Sequence, residues 1–202
     1  WNIVLLWLYT TVASLLILRL LFHLLVLFRL AAGSVKKRQG DVTLLINNKI
    51  QRPFSFFHWV YISDESTEDE EIKEILSHEK VHASQYHSLD IILVELLSAV
   101  MWFNPFIWMM RKSVQLVHEY LADEGVLSTG IDRLQYQALL VNQVAEERII
   151  CLSSGFHHSL IKKRLIMMTK NKPDQDPKLR ILSLVPIALF LFIGVACING
   201  QN

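Results

Sequence analysis

The stretch LSHEKVHASQYHSLD holds three residues whose types and spacing suit metal chemistry: His78, Glu79 and His82, in the order H-E-x-x-H. On a helix, residues four apart lie on one face, so His78 and His82 can offer two imidazole nitrogens to one ion. Glu79 follows the first histidine and leans over the same ion, placed to take a proton from water there. This predicts metal-assisted hydrolysis, with Zn2+ as the ion and Glu79 as the catalytic base. A catalytic zinc takes three protein ligands and leaves a place for water. The candidate for the third is Glu119, in VHEYLADEG. Asp123 lies one turn on and is placed to accept a hydrogen bond from the free ring nitrogen of a ligand histidine. His118 points about 100° away from Glu119 around the helix. It and Tyr120 are candidates for contact with substrate or with the transition-state oxyanion. The bland alternatives are a polar helix surface for the first three residues, and for Glu119 an ion pair with Arg111 or Lys112.

A shared ion requires the segment carrying Glu119 to return beside the histidines. Between them runs IILVELLSAVMWFNPFIWMM (Ile91 to Met110), apolar enough to enter a bilayer. Asn104-Pro105 favours a turn, and Pro105 suits the first turn of a new helix. The expectation is a hairpin: one helix from about Glu70 to Met101, a reversal near Asn104, and a second helix from Pro105 to about Leu127. Its tip dips into the bilayer or lies on it. The alternative is a full crossing, which would leave Glu119 about 30 Å from the histidines.

Of the 202 residues, 52% are hydrophobic, and the net charge is +1. A balance so near zero excludes a general polyanion binder, and no direct contact with nucleic acid is expected. The charge is patterned instead. DESTEDEEIKE (Asp64 to Glu74) is acidic, while VKKRQG (Val35 to Gly40) and IKKRLIMMTK (Ile161 to Lys170) are basic and suit anionic lipid headgroups. Cys151 and Cys197 are too few and too scattered for a disulfide framework or a thiolate zinc site. The chain opens on Trp1 and is expected to be a piece of something longer.

The first eighteen residues carry no charge, near the threshold for a spanning helix. Arg19, His23 and Arg29 interrupt the second half of the run, and Arg19 and His23 share a helix face. The run is too long, and lacks the basic leader, for a cleaved signal peptide. ILSLVPIALFLFIGVAC (Ile181 to Cys197) reads as a second span, with Pro186 tolerable in a membrane helix. Lys36, Lys37 and Arg38 come after the first span, and Lys178 and Arg180 precede the second, which puts the middle of the chain on the cytoplasmic side. DVTLLINNKI and RPFSFFHWVYIS read as two short strands, and IDRLQYQALLVNQVAEE as a helix. The expected fold is a mainly α membrane protein with a small β element. Residues 1–31 form a transmembrane region, 32–180 a cytoplasmic metallopeptidase domain with its hairpin at about 85–127, and 181–197 a transmembrane helix. His87 and Asp90 read as a structural pair, and His157 and His158 as surface residues.

LSHEKVHASQYHSLD, WFNPFIWMMRKSVQLVHEYLADEGVL and HSLIKKRLIMM together resemble the membrane metallopeptidases of the M56 family, which include the BlaR/MecR-type antibiotic-sensing transducers of bacteria. The likeness spans roughly Phe54 to Met168. It implies a gluzincin, with His78, His82 and Glu119 binding zinc, Glu79 as general base and Asp123 supporting the site. It also implies a multi-pass protein of the bacterial cytoplasmic membrane that cuts a protein substrate, such as a transcriptional repressor, when a signal arrives. No penicillin-binding domain is visible after the last span, so antibiotic sensing is not carried over. Two rivals stand beside this reading: a housekeeping membrane protease like the M48 quality-control enzymes, and a signalling scaffold with a structural zinc. A homo-oligomer is left open.

Overall fold

A computed structural model describes residues 2–64, 70–150 and 155–169. The expected span Ile181 to Cys197, both cysteines and the side chains of His157 and His158 lie outside the described residues.

Helix α1 (Asn2–Ala32) is apolar along most of its length, and its large side chains are bare: Ile3 is 71% exposed and Trp7 69%. A helix of a water-soluble core would bury such a stripe. Its 31 residues make about 46 Å of helix, more than the roughly 30 Å of a bilayer's hydrocarbon. Among the described residues it is the one helix long and apolar enough to cross a membrane.

Four strands come next: β1 (Val35–Gln39), β2 (Val42–Ile46), β3 (Phe54–Phe56) and β4 (Trp59–Ile62), in the order β1-β2-β4-β3. β1 and β2 are antiparallel, β2 and β4 parallel, and β3 and β4 antiparallel. The sequence reads as only two strands, and both differences have a local cause. VKKRQ is an edge strand exposed at every position, so it needs no apolar face. RPFSFFHWVYIS breaks at Phe57, whose φ of 52° turns the chain back on itself. β3 is therefore an edge with one side unpaired.

Alternation along the strands feeds two cores. Leu45, Phe56 and Tyr61 pack with Leu24, Leu27 and Ala31 of α1. Leu44, Val60 and Ile62 pack on the other face against Leu76 and Ala83 of helix α2 (Glu70–Ser84). The end of α1 and the helix carrying H-E-x-x-H thus clamp one small sheet.

The long helix expected from Glu70 to Met101 is two helices. α2 ends at Ser84, Tyr86 takes a left-handed conformation (φ 53°, ψ 35°), and α3 runs from His87 to Val100. A left-handed residue with a side chain costs about 1–2 kcal/mol. The break turns His87 inwards, where it is buried, and lets α3 leave the sheet to run beside α1. Then the chain reverses. Asn104 Oδ1 accepts the Phe106 N–H, Pro105 occupies the first turn, and α4 (Pro105–Leu127) comes back antiparallel to α3. Glu95 of α3 pairs with Arg111 of α4, and Asp90 with His118.

The tip of this hairpin lies against the early part of α1. Tyr9 Oη donates to the Val100 carbonyl at 2.9 Å, and the Tyr9 and Phe103 rings are 6.4 Å apart. Phe103, Phe106 and Met109 are exposed there. Tyr9 is about 34 Å along the helix from Ala32, so the tip packs far from the sheet end of α1.

Two further helices close the fold, α5 (Arg133–Ile150) and α6 (Gly155–Thr169). Val126 of α4, Tyr136 and Leu140 of α5 and Met168 of α6 form a third core. Within the basic patch of α6, Lys162 and Lys163 are exposed, but Arg164 is buried.

Candidate metal centre

α2 and α4 meet closely because of one glycine. A Cβ on Gly125 would come within 2.6 Å of Val81 Cγ2, so only hydrogen allows this spacing. Val81 precedes His82, and Gly125 lies under two turns from Glu119. The contact therefore sets how near the carboxylate comes to the imidazoles.

His78 Nε2 and His82 Nε2 stand 3.1 Å apart. His78 Nε2 is 3.4 Å from Glu119 Oε2, and His82 Nε2 is 3.8 Å from Glu119 Oε1. Ligands about 2.0–2.1 Å from a tetrahedral ion stand roughly 3.3 Å apart. Two nitrogens and a carboxylate at these spacings fit such an ion. The three residues are the metal-ligating group that converges among the described residues.

The outer ring nitrogens are also engaged, and their partners fix one consistent set of tautomers. With Nε2 of His82 turned to the ion, its Nδ1–H donates to His87 Nδ1 at 2.7 Å, and His87 Nε2–H donates to Gln85 Oε1 at 2.9 Å. His78 Nδ1 lies 2.8 Å from Tyr136 Oη, which donates to Asp123 Oδ1 at 2.9 Å. Asp123 is itself 3.4 Å from His78 Nδ1. Arg164 ties the far side together. Nε and Nη2 hold both oxygens of Asp123, at 2.9 and 2.6 Å, and Nη1 reaches Glu119 Oε2 at 2.9 Å.

Glu79 sits half-buried on the same turn, and Ser55 Oγ of β3 donates to its Oε2 at 2.7 Å. Burial raises the Glu79 pKa; His78 and the Ser55 hydrogen bond offset that only in part. Burial opposes charge on His78 too, but bonds to Asp123 and Glu119 outweigh it and hold the pKa at about 9. Burial and the neighbouring charge of His78 push His82 down to about 3. Burial would raise Glu119 and Asp123; the contacts to His78 and Arg164 overcome it and keep both carboxyls below their usual range.

A cavity of about 450 Å³ opens from His82 and Glu119 and runs between α1, β3, α3 and α4. His118 lines it, stacked on His87 with ring centroids 4.0 Å apart and bonded to Asp90 at 2.9 Å. Tyr120 is not among its lining residues. His87 and Asp90, read as a pair from the sequence, turn instead to His82 and His118. Glu119 pairs with Arg164 rather than Arg111, whose partner is Glu95.

Sequence reasoning missed Arg164, Tyr136, His87 as a histidine's partner, and Ser55. Arg164 carried a signal: it lies in HSLIKKRLIMM, where helical rotation turns one of three adjacent cations away from its neighbours. Tyr136 and Ser55 carried none, since their roles depend on tertiary packing.

The sequence profile of the BlaR1 peptidase M56 family matches residues 3–168, from α1 through Arg164. The chain belongs to that family. Among curated proteins, this M56 chain is 26% identical over 158 residues to Regulatory protein BlaR1 of Staphylococcus aureus. The match covers 71% of the chain and 26% of the relative, so the M56 chain spans about a quarter of that protein's length.

Proposed function

We propose that this chain is the core of a membrane-embedded zinc metalloendopeptidase of gluzincin type, which cuts a protein substrate in regulated signal transduction. One observation carries the reading: His78, His82 and Glu119 bring three donor atoms to ligand spacing, with a carboxylate base next to His78 on the same turn. His78, His82 and Glu119 hold the zinc, and Asp123, Tyr136 and Arg164 hold the ligands. Bound there, the ion would polarise the scissile carbonyl and acidify water.

The chain's own residues supply the rest. Glu79 takes the proton of the attacking water and delivers it to the leaving nitrogen. Its raised pKa suits that exchange near neutrality, and Ser55 fixes which oxygen faces the reaction. His118, lining the cavity and oriented by Asp90, is the stronger candidate for the developing oxyanion; Tyr120 is the weaker. An extended substrate pairs with the free edge of β3, as strand addition requires. Ser55 lies on that edge, so pairing and base positioning share a strand.

In the proposed layout, residues 1–31 span the membrane, 32–180 form the metallopeptidase domain at the cytoplasmic face, and 181–197 span again. The α3–α4 hairpin enters the bilayer beside α1, supported by its exposed apolar tip and the Tyr9 contact. The bilayer is thus one partner and a protein substrate, of which a transcriptional repressor is the leading type, is the other. The BlaR1 likeness supports regulated signalling over housekeeping proteolysis.

The test compares cells carrying the intact protein with cells carrying Glu79→Gln. The variant should retain one equivalent of zinc by elemental mass spectrometry while specific cleavage fragments vanish from the proteome. Identical fragments in both cell lines would overturn the catalytic assignment; a wild-type protein without zinc would overturn the metal centre.

A further inference from the structure

The cavity beside the metal triad does not end in apolar packing. Its far end holds Arg19 and His23 of α1, Glu95 of α3 and Arg111 of α4. Glu95 and Arg111 pair with each other, and among the described residues no carboxylate pairs with Arg19. Two guanidinium groups, one of them on the exposed Arg19, thus line the same end of the cleft as a single carboxylate. Arg19 stands just over one turn from Leu24, where α1 begins to pack on the sheet, so the charge lies where the lipid-exposed helix meets the folded domain. An ionised side chain at such a depth points to a functional partner of opposite charge.

We infer that this end of the cavity is a subsite for a carboxylate of the peptide substrate. The inference rests on the peptidase reading and adds a specificity to it. α4 supplies the ruler. Arg111, Gln115 and Glu119 recur at four-residue spacing, and all three line the cavity, so one helix face leads from the metal ligand to the cationic end. Eight residues of helix span about 12 Å, the length of three or four extended residues at roughly 3.3 Å each. The carboxylate is therefore an Asp or Glu side chain three or four residues from the bond that is cut. Gln115 lies midway, with an amide to offer the intervening backbone. Continuity with Glu119 and His82 favours a peptide over a phospholipid, which would need no path to the metal.

The experiment uses the full chain in nanodiscs with zinc and has two arms. In the first, a degenerate decapeptide library is digested and the cut sites are mapped by mass spectrometry. Wild type should enrich Asp or Glu three or four residues from the cut on one side. Arg19→Gln should lose that enrichment, and Arg19→Glu should replace it with Lys or Arg. In the second arm, the Glu79→Gln protein binds labelled decapeptides that differ only by Glu or Gln at that position. The acidic peptide should bind roughly ten- to hundredfold more tightly, as a charge-assisted contact implies, and Arg19→Gln should erase the difference. Equal binding of the two peptides overturns the subsite whether or not anything is cut. So does an anionic phospholipid that copurifies in an Arg19-dependent way and blocks the acidic peptide. A binding preference without any cleavage by wild type supports the subsite and sinks the peptidase reading instead.

Discussion

Arg164 holds the buried Asp123 through two nitrogens and extends a third to the half-buried Glu119. Such a fork fixes two carboxylates at once, which a lysine's single ammonium cannot do. Asp123 is only 2% exposed, so its charge depends on this partner. Arg164→Lys is expected to weaken zinc binding about ten- to a hundredfold, the usual effect of losing a partner that orients a ligand. Arg164→Met should also destabilise the chain by about 3 kcal/mol or more, because the buried Asp123 carboxylate loses its cation. Competition with a chromophoric chelator measures the first, and thermal unfolding in detergent the second.

Zinc uptake should release a proton near neutral pH. In the metal-free chain His78 titrates at about 9, above the ordinary 6.5, so at pH 7 its ring is protonated and must lose that proton to bind. His82, at about 3, is already neutral. Apparent affinity should therefore fall about tenfold for each pH unit below 9. Titration calorimetry in buffers of different ionisation enthalpy should count one proton from this ring at pH 7. The same raised pKa stabilises the metal-free fold fully below 6.5 and loses that contribution as pH climbs through 9. Metal-free stability should accordingly decline over that window.

Gly125→Val should force α2 from α4, since even a Cβ meets Val81 at 2.6 Å. Overpacking of this kind costs about 1–3 kcal/mol. The diagnostic effect is on the metal: Glu119 recedes from the histidines, and zinc affinity should drop more than stability alone explains. Val81→Ala in the same chain should restore part of both.

Ser55→Ala removes the hydroxyl that donates to Glu79. That bond holds the Glu79 pKa down against burial, so its loss moves the pKa further up. The acid limb of kcat/KM should shift to higher pH while zinc content stays constant. An unchanged pH profile would exclude Glu79 as the group that limits the rate at low pH.

His78, His82 and Glu119 were legible in the sequence because helical periodicity is rigid: four residues make one face, and Asn104-Pro105 announces a reversal. The break at Tyr86 was not legible, since a tyrosine gives no sign of a left-handed turn; the burial of His87 and the docking of α3 on α1 compensate for it. VKKRQ looked like a mere charge cluster because an edge strand can be polar throughout. Arg164 looked like its two lysine neighbours until α6 packed against α4. In each case the missing information was which side of an element faces protein, and one chain's local pattern does not contain it.

The elbow at Tyr86 separates two duties. Both imidazoles belong to the limb that rests on the sheet, while the limb beyond the bend lies along the apolar helix α1. A straight rod through both would turn every change in bilayer thickness or tilt into leverage on the ion's cage. The kink spares the two imidazoles that lever arm, whereas Glu119, on the unbroken helix from Pro105 to Leu127, keeps it, so movement of the hairpin tip would reach the ion through its carboxylate ligand.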